Sequence, residues 1–284
     1  MKCIALLLII VALTSPGGRT GSAVVDRAKT SESSLFAQSA GAALSHDFPS
    51  QDISFLLLDA HTGRVLASRW DHPDTPIPLG SLVKPFTALA YGEQHEFHYP
   101  GHTCLGTATG CWRPHGHGDV DLSEAIAYSC NSYFRMLTAH LSAADVSPVA
   151  TRFGIEPPNP EAAGAELAGL GSYWRISPLR MARAYLELVR QRRQAGLNQV
   201  FDGMAQSARR GTGVQVHRVL PFPEVLVKTG TAACTHSVHA PGDGFTIVLT
   251  PADHPQLLLM VRVHGVPGAE AAKTAGQMLR RIEE

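Results

Sequence analysis

A serine and a lysine three residues apart, Ser81 and Lys84, form the pair in this sequence best suited to covalent chemistry. The segment after them looks helical, and Pro85 fits only if that helix begins within a few residues before it, because an interior proline breaks a helix. Ser81 is then expected in the first turn, where side chains at i and i+3 share one face. A lysine buried there near another cation has a lowered pKa and can take the hydroxyl proton of a serine, which becomes a nucleophile.

Two further motifs carry hydroxyl, amide and amine groups. The segment Ser129-Cys130-Asn131 lies at a break between two helical pieces, where a short polar stretch can point into a cleft. The segment Lys228-Thr229-Gly230-Thr231 follows a strand candidate. Only five of the 24 basic residues are lysines, and two of these five stand in the motifs. The three motifs together therefore indicate one catalytic site rather than solvated surface side chains.

The elements that must position these motifs follow an α+β pattern. Apolar β-rich runs predict strands over 53–58, 64–69, 225–227, 245–249 and 257–263. Helix-start signals and helical spacing predict helices from the Asp121–Glu124 capping box, over 133–141, from Ser177-Pro178 to 194, and over 269–282. Strands at both chain ends with helices between them predict one antiparallel sheet formed from both ends, covered by helices, with an inserted all-α lobe.

The amino terminus is typical of a targeting segment. Met1-Lys2 and the apolar run over 4–13 predict a signal peptide over residues 1–23; an N-terminal anchor is the alternative. The run is shorter than the roughly 20 residues that a membrane-spanning helix needs. Residues 24–51 show no sustained period and are predicted to be a linker or lead-in, so the folded domain is expected over 52–284.

The charge balance excludes one class of partner. The chain has 24 basic and 24 acidic residues and a formal net charge of zero. It has no general excess of positive charge with which to neutralise a phosphate backbone or an anionic membrane surface. We therefore expect no nucleic-acid partner, and membrane contact only through the N-terminal segment.

The motifs S-x-x-K, S-x-N and K-T-G, in this order, resemble those of the penicillin-binding proteins and serine β-lactamases. The segment from Cys104 to Phe134 is similar to the approach to the second motif in class B penicillin-binding proteins, and 152–155 and 176–182 resemble later landmarks. The similarity extends from about residue 52 to 275. It implies a β-lactamase/transpeptidase-like fold and a penicillin-binding transpeptidase domain. The predicted signal segment adds the expectation of export to the periplasm or the cell exterior, with a membrane tether if the segment is an anchor.

The resemblance also implies a role for each motif residue. Ser81 would attack the carbonyl of a peptidoglycan stem peptide or a β-lactam, and Lys84 would be its base. Ser129 would relay a proton to the leaving amine, and Asn131 would hold the substrate amide and the Lys84 amine. The substrate carboxylate would be bound by Lys228, Thr229, Gly230 and Thr231. The oxyanion would be held by the backbone N–H groups of Ser81 and Thr231. These roles require no cofactor.

The fate of the acyl-enzyme separates the alternatives. A class A β-lactamase uses a glutamate in an E-x-x-L-N loop, which this sequence lacks, and class D enzymes normally carry valine at the position of Asn131. A D,D-transpeptidase or D,D-carboxypeptidase is therefore favoured over a serine β-lactamase. The non-enzyme alternative is an acylatable β-lactam or peptidoglycan sensor, or a degenerate ligand-binding domain. The intact Ser81, Lys84, Ser129 and Lys228 argue against degeneration.

The cysteines could form disulfides or bind a metal ion. In an exported chain, Cys104 and Cys111 predict a disulfide that closes a small loop. A zinc site with His115 and His117 is the alternative, but C-x6-C-x3-H-x-H is not a standard ligand spacing, so no metal is expected. Cys130 and Cys234 are expected close to the active site, with a bridge between them left open.

Overall fold

The computed structural model describes residues 20–234 and 242–284, with side chains from Ser34 onward. Most of the predicted signal peptide lies outside these residues. In chain order the strands are β1 (Ile53–Asp59), β2 (Val65–Arg69), β3 (Ile77–Pro78), β4 (His102–Cys104), β5 (Gly118–Val120), β6 (Arg175–Ile176), β7 (Leu226–Ala232), β8 (Asp243–Thr250) and β9 (Leu257–His264).

The central sheet is antiparallel and has five strands in the order β2-β1-β9-β8-β7. It therefore combines the first two strands of the chain with the last three, as predicted from the two apolar ends. The strand β7, which contains the K-T-G-T segment, lies at one edge. The short strands form two separate pairs, β3 with β6 and β4 with β5.

Helices fill the middle of the chain and flank both ends. Within the described part of the chain they are α1 (Thr20–Asp47), α2 (Lys84–Gln94), α3 (Leu122–Ala127), α4 (Asn131–Thr138), α5 (Ala143–Arg152), α6 (Pro178–Arg190), α7 (Leu197–Arg210), α8 (Val214–Val219) and α9 (Gly268–Glu283). This arrangement confirms the α+β fold with a helical lobe inserted between the two parts of the sheet.

Alternating side chains of the sheet belong to two different cores. On β1, Phe55 and Leu57 join a cluster with residues of α1 and α9, which we call the outer core. Leu56 and Leu58 join the larger cluster shared with α2 to α7, which we call the inner core. The period of two arises because successive side chains of a strand point to opposite faces. Both faces of the sheet are therefore buried, and the catalytic motifs lie on the inner side.

Two helix starts follow the local signals in the sequence. The Asp121 carboxylate accepts a hydrogen bond from the Glu124 N–H (2.8 Å) and caps α3. The Ser177 hydroxyl accepts one from the Arg180 N–H (3.2 Å), and Pro178 opens α6, which ends at Arg190 rather than continuing to residue 194.

The segment predicted as a linker or lead-in over 24–51 is largely helical in the structure. The helix α1 reaches Asp47, and its Ala40 and Leu44 are buried in the outer core. The helix has no strong amphipathic pattern of its own, so packing against the sheet stabilises it more than local periodicity does. No described helix combines the length and apolar character that a membrane span requires.

Candidate active site

The S-x-x-K motif forms a short 3-10 turn that leads directly into α2. The turn covers Gly80–Val83, and Lys84 is the first residue of the α-helix, with Pro85 in its first turn. Side chains at i and i+3 eclipse in a 3-10 turn, which places Ser81 and Lys84 on one side. Ser81 is 9% exposed and Lys84 is fully buried. The hydroxyl therefore reaches the surface of a cleft, whereas the amine lies behind it.

The S-x-N motif connects the two lysines of the site. The Lys84 amine donates to the Ser129 carbonyl oxygen (2.9 Å) and to Asn131 Oδ1 (2.7 Å). The Lys228 amine donates to the Ser129 hydroxyl (3.0 Å). Ser129 has a positive φ of 50°, which is uncommon for a residue with a side chain, and this turn directs both of its oxygens to the lysines.

The K-T-G-T segment lies within β7, at the open edge of the sheet, rather than after the strand. The Lys228 amine also donates to the Thr229 carbonyl oxygen (2.7 Å). The Thr229 hydroxyl donates to that of Thr212 (2.6 Å), and the Thr231 hydroxyl accepts from the Gly268 N–H (2.9 Å). The edge therefore presents two oriented hydroxyl groups beside a buried amine.

Burial changes the acid–base properties of both lysines. Loss of hydration lowers the pKa of Lys84 to about 7; nearby Cys130 and Cys111 oppose the shift, and Arg135 adds to it. The pKa of Lys228 also lies well below its ordinary value, because of burial and the neighbouring charge of Lys84. Near neutral pH, a substantial fraction of Lys84 is therefore an uncharged amine able to accept a proton.

A cleft of about 650 Å³ brings the predicted residues together. Its walls contain Ser81, Ser129, Asn131, Thr229, Gly230 and Thr231 from the three motifs, and Trp112, Gly169, Leu170, Gly171, Ser172, Thr212, Ala232, Ala233, Pro267 and Ala269 from elsewhere. Lys84 and Lys228 contact this lining through Ser129. All eight residues singled out from the sequence for catalysis and substrate binding thus lie at one place.

Close backbone contacts set the distance between the S-x-x-K turn and β7. A Cβ built on Gly80 would collide with the Thr231 carbonyl oxygen and would lie 3.0 Å from the Thr231 nitrogen. A Cβ on Gly230 would lie 2.5 Å from the Leu79 carbonyl oxygen. Only glycine at both positions allows this approach, which brings the backbone around Ser81 and Thr231 to one end of the cleft.

Several lining residues were not identified from the sequence. The carboxylate of Glu166 accepts the N–H groups of Ser172 (3.2 Å), Tyr173 (3.1 Å) and Trp174 (3.3 Å). These bonds fold residues 166–174 into a loop that forms one wall. Thr212 stands between Gly211 and Gly213 after α7, a Gly-Thr-Gly pattern that is the available sequence signal for it. Nothing in the sequence pattern indicates the wall loop, because backbone N–H groups, which almost every residue type carries, define it.

The disulfide predicted between Cys104 and Cys111 is not formed, and both are free thiols. The two sulfurs each lie 3.5 Å from His117 Nδ1, and Cys111 Sγ lies 3.9 Å from Cys130 Sγ. The loops bring the sulfurs to a shared histidine instead of within bonding distance of one another. These four residues form a group that could hold a metal ion. Cys130 and Cys234 are not bridged either, since the sulfur of Cys234 lies beside His264 Nδ1 (3.4 Å).

Comparisons with known proteins agree with this geometry. The chain shares its fold with penicillin-binding protein 2 of Pseudomonas aeruginosa in complex with WCK 5153 (TM-score 0.68, 18% identity, covering 89% of this chain and 73% of that one). It is similar to penicillin-binding protein 2 of Helicobacter pylori in its complex with MreC (TM-score 0.72, 15% identity, 85% and 62%). A third structure is the transpeptidase domain of penicillin-binding protein 3 of Burkholderia pseudomallei (TM-score 0.66, 18% identity, 89% and 92%).

At these low identities, the structural similarity establishes a common fold alone. The chain spans about three fifths of the Helicobacter protein but about nine tenths of the Burkholderia domain. The comparison with curated protein sequences finds no match. The family model described as the penicillin binding protein transpeptidase domain matches residues 53–284, which is most of the chain. Together with the three motifs around one cleft, this match shows that the chain belongs to the penicillin-binding protein transpeptidase domain family.

Proposed function

We propose that this protein is a serine D,D-acyltransferase that is acylated at Ser81 by peptidoglycan stem peptides and by β-lactams. The observation that carries the proposal is the convergence of two buried lysines on Ser129, beside the cleft that exposes the Ser81 hydroxyl. If Ser81 and Lys84 were an ordinary surface pair, Lys84 would not be buried and the amine of Lys228 would not lie close by. We further propose that the domain acts outside the cytoplasmic membrane, where such a substrate lies.

In the acylation step, the Ser81 oxygen attacks the carbonyl carbon of the bond to be broken, and its proton passes to the neutral amine of Lys84. Burial of Lys84 favours this transfer, because it leaves a fraction of the amine unprotonated at neutral pH. The Ser129 hydroxyl, held by Lys228 at 3.0 Å, is placed to pass a proton to the departing amine. The products are an ester on Ser81 and a free amine.

The remaining groups of the site would bind the oxyanion and the polar ends of the substrate. The backbone N–H groups of Ser81 and Thr231 would hold the developing oxyanion, and the close contact between Gly80 and Thr231 supports their proximity. Asn131, Thr229 and Thr231 would bind the amide and carboxylate of the substrate. An extended peptide could lie along β7, because this strand is at the edge of the sheet.

The lining of the cleft favours an amine or a weakly activated water as acyl acceptor. None of the described residues in the cleft wall is an aspartate or glutamate. The Glu166 carboxylate is engaged by three backbone N–H groups of the wall loop. Among its described residues, the cleft wall therefore has no carboxylate like the one that a class A β-lactamase uses to activate water, which supports transpeptidase or carboxypeptidase activity.

Covalent labelling tests the nucleophile. The purified protein is incubated with a fluorescent penicillin and analysed on a denaturing gel. We expect a labelled band in the wild type and in the control Ser147→Ala, whose serine lies on α5 away from the cleft. We expect no label in Ser81→Ala, with thermal unfolding showing that this variant is folded. A labelled Ser81→Ala, or an unlabelled and folded wild type, would refute the proposal.

The fate of the acyl group is then followed with a pentapeptide ending in D-Ala-D-Ala. Release of D-Ala with transfer to an added amine indicates a transpeptidase, and release into water alone indicates a carboxypeptidase. Rapid loss of penicillin label with accumulation of hydrolysed penicillin would instead indicate a β-lactamase. A stable label without peptide turnover would support the sensor alternative.

A further inference from the structure

Four metal-ligating side chains meet beside the active site. Cys104 ends β4, Cys111 follows a 3-10 turn, His117 precedes β5, and Cys130 lies within the S-x-N motif. The three cysteines are 1%, 5% and 0% exposed, and His117 is partly buried. Their ligand atoms all lie within 4.8 Å of one another. The sequence predicts a disulfide between Cys104 and Cys111, and neither that pair nor the alternative zinc site with His115 and His117 includes Cys130.

The distances match a tetrahedral zinc site. With Zn–S bonds of about 2.3 Å and a Zn–N bond of about 2.0 Å, tetrahedral ligands are about 3.8 Å apart between sulfurs and about 3.5 Å apart between sulfur and nitrogen. The structure has 3.9 Å between Cys111 Sγ and Cys130 Sγ. It has 3.5 Å from His117 Nδ1 to the sulfurs of both Cys104 and Cys111. A disulfide would bring two sulfurs to about 2.05 Å, which none of these distances approaches.

The backbone around the ligands is shaped for this convergence. Gly106 and Gly116 both have a positive φ, and a Cβ on Gly116 would lie 2.6 Å from the Gly106 nitrogen. The two loops therefore touch through their main chains, which brings the Cys104 sulfur to His117. The ring of His117 also stacks on Tyr128, with centroids 5.1 Å apart, and this contact helps to orient Nδ1 toward the sulfurs.

The chemistry of the cluster favours zinc. The group consists of three buried cysteine sulfurs and one histidine nitrogen, with Cys104 Sγ and Cys111 Sγ each 3.5 Å from His117 Nδ1. Such a soft ligand set selects zinc over magnesium or calcium. Because thiolates are the zinc ligands, binding would transfer the protons of the cysteine thiols to solvent.

We propose that Cys104, Cys111, His117 and Cys130 bind one zinc ion, and that this ion holds the S-x-N segment in place. Four protein ligands close the coordination sphere, as in a structural rather than a catalytic zinc site. The metal would join the β4–β5 hairpin to Cys130, whose neighbours Ser129 and Asn131 both bond Lys84. The effect on acylation rests on the proposed function, whereas zinc binding itself does not.

Metal analysis of the full-length protein tests the site without relying on activity. We expect one zinc per chain in the wild type and almost none in Cys104→Ser or Cys111→Ser. Cobalt added to the metal-free protein is expected to give the absorption of a tetrahedral cobalt–thiolate site. The control is Cys234→Ser, because Cys234, Asp243 and His264 form a second group that could hold a metal. Zinc retained in Cys104→Ser but lost in Cys234→Ser would overturn the proposal.

A measurement on the wild type avoids variants that fail to fold. Thiol reagents should modify Cys104, Cys111 and Cys130 slowly until a strong chelator removes the metal, and peptide mass mapping identifies the modified residues. A disulfide between any two of them, or thiols whose reactivity is insensitive to the chelator, would refute zinc binding. If zinc is bound but Ser81 is never labelled, the metal site stands and the proposed function fails.

Discussion

Ser129 contacts both of the buried lysines that the proposed acylation reaction uses. Its carbonyl oxygen accepts from Lys84 and its hydroxyl from Lys228, so one residue contacts both buried amines. Two ammonium groups buried so close together would repel each other and lose hydration, so the neutral form of at least one is favoured. The same burial that costs stability therefore provides a base at neutral pH.

The acylation rate should consequently depend on the protonation of Lys84. Its pKa of about 7 lies below the ordinary value, and only the neutral amine accepts a proton. We expect the rate of penicillin labelling to rise as the pH increases from 6 to 8, with its midpoint near 7, and then to level off. Burial sets this midpoint first, while nearby Cys130 and Cys111 raise the pKa of the amine and Arg135 lowers it.

Replacing the amine by a guanidinium tests the same residue. Arginine stays protonated at all accessible pH values, so Lys84→Arg should label at least about 100-fold more slowly, within the range for loss of a general base. The matched control is Lys273→Arg, an exposed lysine of α9, which should label at the wild-type rate. A pH-independent wild-type rate, or unimpaired labelling of Lys84→Arg, would contradict the assignment.

At the scale of elements, the site depends on how the 3-10 turn Gly80–Val83 packs against β7. Gly80 contacts the Thr231 backbone on one side, and a Cβ on Gly169 would collide with the Gly80 carbonyl oxygen on the other. The Tyr185 hydroxyl donates to the Leu82 carbonyl oxygen (2.8 Å) from α6. The turn is thus held from three sides, which leaves the Ser81 backbone little freedom.

A methyl group at position 80 should therefore damage the site more than the fold. Gly80→Ala adds a clash with Thr231 to the strain of a positive φ of 56°, and we expect a loss of labelling rate of at least about 10-fold. Gly154→Ala is the control, because Gly154 has a φ of 74° but nothing within 4 Å of its Cβ position. It should lower stability by about 1 kcal/mol and leave labelling unchanged. Labelling rates and thermal unfolding are measured for both, and equal labelling would argue against the close contact as a requirement.

At the scale of the whole molecule, α1 completes the outer core. Leu44 is fully buried among residues of the sheet and α9, and Arg281 of α9 pairs with Asp47 at the end of α1. The N-terminal helix and the C-terminal helix therefore cover the same side of the sheet, opposite the inner core. The C-terminal part of α1, with Ala40 and Leu44, therefore packs against the sheet and α9.

Truncation of Leu44 measures how much α1 contributes. Leu44→Ala removes fully buried methyl groups and should lower the free energy of unfolding by about 2–4 kcal/mol. Leu35→Ala on the same helix is the control, because Leu35 is 63% exposed and its loss should change stability by less than about 0.5 kcal/mol. Both values come from denaturant unfolding. Equal effects of the two substitutions would mean that α1 does not pack as described.

Local features of this protein were determined by the sequence itself. Continuous apolar, β-rich runs predict the strands of the central sheet, and the caps at Asp121 and Ser177 involve residues only three positions apart. The S-x-x-K pair is likewise local, since one helical turn brings Ser81 and Lys84 together. For these features the backbone geometry of a single element suffices, so residue type and spacing predict them.

Only the tertiary structure decided which distant groups meet. Asn131 and Lys84 are 47 residues apart in sequence, and Lys228 and Ser129 are 99 apart, so their hydrogen bonds depend on how the sheet edge packs on the helical lobe. A disulfide holds its two sulfurs about 2 Å apart, whereas sulfurs that bind one zinc ion lie about 3.8 Å apart, and the path of three loops decides between these separations. The helix α1 is stabilised by burial against strands that follow it. Such contacts are non-local, and no spacing along the chain specifies their geometry.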